Sequence, residues 1–196
     1  MNNFKWLNES KVAENDNKIT LLATEKSDYF CNPGAIGEEG ITPESLGNAP
    51  FYYTDIVGDF VMKVKVSLAF KDVYDAAAIM VLENERTWAK ACFELTDFNT
   101  RAVVSVVTNQ VSDDANGCNI ENDFVWLQMT RLGKTFAFHY SEDGVIFYMM
   151  RVFHLPASDT VKIGLLAQAP SGSGGERHFE ELTMENITVK NIRTGK

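Results

Sequence analysis

In the segment TWAKACFEL (87–95), Trp88, Lys90 and Glu94 occupy alternate positions. An extended backbone sends every second side chain to the same face, so a strand here sets these three in one row. The combination suits a saccharide. An indole plane stacks on a sugar ring, while an ammonium and a carboxylate bond its hydroxyls. Asp75, near the start of the preceding apolar run, is placed to sit beside them. Trp126 and Gln128 in FVWLQMTRL and His139 in TFAFHYS are the outward residues of two later runs and extend the candidate ligand-binding set onto the same sheet. The competing reading is an amphipathic strand with a solvated Lys–Glu pair and an aromatic ring half-buried under a loop.

Other chemistries fit less well. A glycoside hydrolase needs two carboxyl groups roughly 5 to 10 Å apart across the scissile bond. Asp75 with Glu94 is the one pair that qualifies, and Lys90 beside them would hold both ionised, which disables a general acid. Hydrolysis therefore ranks third, and no catalytic residue is assigned. Residues 112–123, SDDANGCNIEND, loosely match a calcium loop, but Ser holds the first ligand position and Asp the last, so they read as a polar turn. His139, His154 and His178 are scattered without ligand spacing. No metal and no cofactor is expected. Cys92, mid-strand with no neighbouring His, reads as a buried thiol.

The elements that must position these residues are strands. Short β-rich runs recur at roughly 8 to 12 residue spacing, the pattern of a sandwich or barrel. They begin with ITLLAT at Ile19, include VIFYMMRVF from Val145 and end with RHFEELTMENITV from Arg177, giving eleven or twelve strands. Val57-Gly58-Asp59, Gly133-Lys134 and Glu142-Asp143-Gly144 supply the turns, and such hairpins imply antiparallel pairing. AAAIMVL (76–82) is apolar on both faces, which suggests a central strand covered on both sides, or one floored by small side chains. Val125, Leu127 and Met129 should face the core; Phe136, Phe138 and Tyr140 share one face, and Thr135, Ala137 and His139 oppose them. Two stretches look irregular: residues 31–50, rich in Gly, Pro and Glu, and PSGSGG (170–175). The first is a long loop, read as a lid, a rim or simply a mobile segment.

The 196 residues suffice for one sizeable core, and 1–196 reads as one domain without repeat or linker. A net charge of −9 repels phosphate backbones and anionic headgroups, so neither nucleic acid nor membrane is an expected partner. A saccharide ligand and a homodimer are the expected partner classes. Three widely spaced cysteines, Cys31, Cys92 and Cys118, make no disulfide framework. MNNFKWLNES carries no apolar leader, and no apolar stretch is long enough to span a bilayer, so a cytoplasmic location is expected.

Several blocks then occur in a familiar order: SDYFCNPG (27–34), NAPFYYTDIVGDF (48–60), YDAAAIMV (74–81), WAKACFE (88–94), VVSVVTNQVSDD (103–114), VWLQMTRLGKTFAFHYSEDG (125–144) and IGLLAQAPSG (163–172). In these the chain resembles an uncharacterised family labelled "regulation of enolase", within the concanavalin A-like lectin/glucanase superfamily. The resemblance covers nearly the whole chain, departing from the family in the loop 34–47. It implies an all-β, two-sheet antiparallel jelly-roll sandwich with one concave face, and brings no established activity. The glucanases of that superfamily carry a Glu-x-Asp-x-x-Glu strand, which this sequence lacks. The leading expectation is a non-catalytic carbohydrate-binding or sugar-sensing domain. The alternative is a protein-interaction or regulatory domain, acting as a homodimer or on a metabolic enzyme.

Overall fold

The computed structural model describes residues 4–32 and 45–196. In chain order the strands are β1 (Lys5–Leu7), β2 (Val12–Asn15), β3 (Lys18–Ala23), β4 (Tyr29–Phe30), β5 (Leu46–Gly47), β6 (Phe51–Val57), β7 (Phe60–Leu68) and β8 (Ala76–Asn84). They continue with β9 (Thr87–Leu95), β10 (Arg101–Asn109), β11 (Val111–Asn119), β12 (Phe124–Leu132), β13 (Thr135–Ser141), β14 (Tyr148–His154), β15 (Thr160–Gln168) and β16 (Gly175–Glu185). One sheet runs β1-β6-β15-β8-β9-β10-β11 and the other β14-β13-β12-β7-β16-β3-β2, every pairing antiparallel. A small ladder pairs β4 with β5. The two large sheets form the expected jelly-roll sandwich.

Alternation builds the core between them. In FVMKVKVSL of β7, Met62, Val64, Val66 and Leu68 are buried, and Lys63, Lys65 and Ser67 lie on the other side. Phe93 of β9, Leu127 and Met129 of β12, and Phe136 and Phe138 of β13 join them in one cluster. Burying that apolar face drives the sheets together. β8 is the central strand of its sheet and is buried on both faces over Ala76–Leu82, as its unbroken apolar run implies. The expected turns also occur: Gly58, Gly133 and Gly144 all take positive φ, the conformation in which glycine carries no Cβ penalty.

Three expectations need correction. Residues 112–123 are not a polar turn: most of them form β11, an edge strand. An edge strand can be polar on both faces because neither need be buried, so hydropathy gives it no signal. Strand β14 begins at Tyr148 rather than Val145, because Asp143 Oδ1 accepts hydrogen bonds from Val145 N and Ile146 N and keeps the chain in the turn. The last strand ends at Glu185, not Val189. Within 31–50, the lid or rim expectation falls mostly outside the described residues. Of its described residues, Cys31 and Ala49 pack in one cluster with Trp88 of the first sheet, and β5 pairs with β4. PSGSGG is pinned: Ser171 Oγ donates to Val73 O, and the backbone at Gly174 passes so close to Ala23 O that a Cβ there would sit 2.2 Å from it.

Candidate functional site

Register places the side chains on the outer face of the first sheet. Glu94 is flanked by Ala76 and Ala102, Cys92 by Ala78 and Val104, Lys90 by Met80 and Val106, and Trp88 by Leu82 and Thr108. The rows extend outward to Gln168 of β15, opposite Ala76, and to Asp114 of β11, opposite Val106. The small side chains of Ala76, Ala78 and Ala102 thus form a floor beside Glu94. Trp88, Lys90 and Glu94 do share one face, as alternation requires.

Trp88 is nevertheless not a stacking platform. It is 0% exposed, and the Tyr29 ring packs edge-on against it with centroids 5.8 Å apart. Tyr29, Cys31, Ala49 and Phe51 form with it a second apolar cluster that covers this end of the sheet. Its Nε1 is the one sealed side-chain polar atom without a partner among the described residues. Asp75 is also corrected. It is 0% exposed and faces Arg177, whose Nη2 donates to Asp75 Oδ1 at 2.8 Å. The backbone N–H groups of Lys71 and Asp72 donate to Asp75 Oδ2. With both oxygens engaged, Asp75 is structural and cannot serve as half of a hydrolytic pair.

Lys90 and Glu94 differ from a solvated pair. Lys90 Nζ donates to Asp28 Oδ1 and to Gln168 Oε1, both at 2.8 Å. Burial works to lower the Lys90 pKa, but Asp28, with Cys92 and Glu94 nearby, raises it by more, so the ammonium is held charged. Glu94 is 8% exposed, and its carboxyl makes no hydrogen bond with a described residue. Burial pushes its carboxyl well above the usual carboxylate range; Lys90 opposes this, while Asp114, Asp28 and Asp97 add to it. Asp114, at the exposed edge, is raised too, by desolvation first, against the pull of Lys90 and the Ala115 N–H. Cys92 is buried and its thiol is raised by burial, the inert state expected of it.

The other three expected residues are elsewhere. Trp126, Gln128 and His139 lie on β12 and β13 of the second sheet, on the face turned away from the core. Their assignment to the same surface as Trp88 is corrected: the two sheets present opposite outer faces. Trp126 is half-buried, and Gly144 packs against its indole so closely that a Cβ would lie 2.8 Å from Nε1. Gln128 and His139 are cross-strand partners covered by residues 193–195. Gln128 Nε2 donates to Gly195 O, and His139 Nε2 donates to Arg193 O at 3.0 Å. A carbonyl only accepts, so the proton sits on Nε2. Burial lowers the His139 pKa, which fits a neutral ring. These two are packed side chains, not open ligand groups.

A cavity of about 840 Å³ lies past the Trp88 end of the face, lined by Asn8, Tyr29, Leu82, Glu85, Arg86 and Lys162 among others. None of the expected site residues lines it. The residues that complete the polar cluster, Asp28, Asp114 and Gln168, were missed. Asp28 lies in a block that carries the family resemblance, and Asp114 in the stretch misread as a turn. A strand assignment for 111–119 would have put Asp114 in register with Val106 and Lys90.

The chain is 29% identical over 182 residues to "Regulation of enolase protein 1" of Saccharomyces cerevisiae, covering 91% of this chain and 87% of that protein. The crystal structure of a functionally unknown protein from the same yeast superposes with a TM-score of 0.84 at 26% identity, over 95% of this chain and 97% of the other. The carbohydrate binding module CBM66 from Bacillus subtilis is similar at a TM-score of 0.60 and 12% identity, over 94% and 96% of the two chains, a likeness of fold alone. Residues 6–187 match the model of a family described as "Protein of unknown function (DUF1349)", and the chain belongs to that family.

Proposed function

We propose that this protein is a non-catalytic carbohydrate-binding domain and that the outer face of the first sheet holds the ligand. The observation that carries the reading is the convergence of Lys90, Glu94, Asp28 and Gln168 beside a floor of alanines, on a sheet face that is otherwise apolar. Polar groups gathered beside small side chains offer a polyol donors and acceptors. The grip is polar rather than aromatic, because Trp88 is sealed. The fold shared with a carbohydrate binding module supports the reading by analogy. No hydrolytic pair belongs to it, since Asp75 is committed to Arg177.

The test is a thermal-shift screen against mono- and oligosaccharides, with Glu94→Gln beside the wild type. A ligand at 100 times its Kd adds about 2.7 kcal/mol of stability. A shift seen in the wild type and diminished in the variant supports the reading; no shift across the panel overturns it.

A second reading, a protein-interaction or regulatory domain, is favoured by one observation. Val145, Ile146, Tyr148 and Met149 are exposed together at the start of the edge strand β14. Exposed apolar groups beside an unpaired strand edge suit a protein partner. The yeast relative's name, which refers to regulation of enolase, points the same way and makes a metabolic enzyme or a second copy of this chain the partner to try.

A further inference from the structure

Resting on the carbohydrate reading, we propose that the face around Glu94 selects a saccharide bearing a free amino group, with Glu94 taking the ammonium and Asp114 of the edge strand adding negative charge to the same face. The groups around Glu94 are Lys90 and Cys92 on its own strand, Asp114 on β11, Asp28 ahead of β4 and Asp97 beyond β9, with Arg151 of β14 near Asp114. The Lys90 charge is already matched by Asp28 at 2.8 Å, and its second donor is taken by Gln168. Arg151 bonds Ser105 O, Ser105 Oγ and Asp113 O. Glu94 and Asp114 are left without a cation of their own.

Glu94 is more than nine-tenths buried, yet neither oxygen has a partner among the described residues, and neither is sealed from solvent. A buried carboxylate in that position lacks donors. An ammonium supplies three donors and the missing positive charge together, whereas a hydroxyl supplies one donor and no charge. An acidic sugar would add a further negative charge beside Glu94, Asp28 and Asp114, which electrostatics disfavours. The flanking Ala76 and Ala102 bring no donor and no charge to the carboxyl.

Binding of the ammonium also carries a proton change. Burial raises the Glu94 pKa, so any proton its carboxyl holds passes to the buffer when the carboxylate pairs with the ammonium; no covalent bond to the ligand forms.

The experiment is calorimetric titration of the whole protein with β-1,4-linked tetramers of glucosamine, glucose and galacturonic acid, at about pH 6 in phosphate and in imidazole. The expected result is glucosamine binding at least about 10-fold tighter than glucose, no galacturonate binding, and a glucosamine heat that differs between the buffers. Glu94→Gln, which keeps size and shape, should bring glucosamine to the level of glucose and abolish the buffer difference. Asp114→Asn, on the exposed edge strand, should give a smaller loss in the same direction, and its unfolding midpoint serves as the folding control. Equal affinity for glucose and glucosamine would overturn the inference while leaving the carbohydrate reading intact. Binding of none of the three overturns both. Tight glucosamine binding unchanged in Glu94→Gln and Asp114→Asn would place the amine elsewhere and refute the assignment.

Discussion

Asp75→Ala should destabilise the protein by about 3–5 kcal/mol, because it strands the Arg177 guanidinium in the interior. Both side chains are essentially without solvent contact, at 0% and 1%. Arg177 also donates to Ala76 O at 3.1 Å and to Gln168 O at 2.9 Å, so it cannot swing out without breaking bonds to two strands. Removing Asp75 additionally costs Lys71 N and Asp72 N their acceptor. Since domains are stable by only about 5–15 kcal/mol, the loss is a large share of the total. For a chain of this size it corresponds to a Tm lower by roughly 6–20 °C. The assay is urea unfolding at neutral pH, read as a lower midpoint at unchanged slope. The double variant Asp75→Ala/Arg177→Met removes both charges and should be more stable than Asp75→Ala alone, because no unpaired charge remains inside. A cost below about 1 kcal/mol for Asp75→Ala, or a double variant no better than the single, would refute the claim that this pair is a buried structural contact.

Trp88→Ala should cost about 3–5 kcal/mol through the void it leaves, and Trp88→Phe much less, since the indole N–H has no partner to lose; chemical denaturation of the two variants measures both. Glu94→Gln should stabilise the protein more at pH 8 than at pH 5. A folded-state pKa raised above the unfolded value contributes stability that is present below the unfolded pKa and lost as pH rises through the folded one, so the neutral amide helps most at high pH. His139 has the opposite sign: with its folded pKa lowered, its contribution is full above the ordinary histidine pKa and lost as pH falls, so His139→Gln should flatten the midpoint-against-pH curve on the acid side. Gly164→Ala should destabilise by about 1–3 kcal/mol or more, because a Cβ there would sit 2.1 Å from Tyr52 O on the neighbouring strand; thermal unfolding checks it.

The sandwich was legible because most of its strands have one face against the core, and alternation records that face directly. Met62, Val64 and Val66 against Lys63 and Lys65 need no tertiary information to be sorted. The site was legible only in part. Alternation set Trp88, Lys90 and Glu94 in one row, but whether a row faces water depends on what lies over it. The cover on Trp88 is Tyr29, and the partner of Lys90 is Asp28, 62 residues away in the chain. Period-two patterning cannot register such a contact. It also cannot say which sheet a strand joins, which is why Trp126, Gln128 and His139 were grouped with Trp88. The Asp75–Arg177 pair, 102 residues apart, lies beyond local pattern for the same reason.

The edge strand β11 has a consequence for how copies of this protein behave in company. Its sequence, VSDDANGCN, puts Asp113, Asp114, Asn116 and Asn119 along a ladder with one open side. Its pairing with β10 slips between Ala102 and Val104, where two residues advance against three, so the strand is bent as well as charged. A bent, acidic margin resists the stacking of a second molecule's strand onto it. At high concentration, replacing Asp113 and Asp114 with Thr and Val would remove that repulsion, and the protein would begin to assemble edge to edge into filaments.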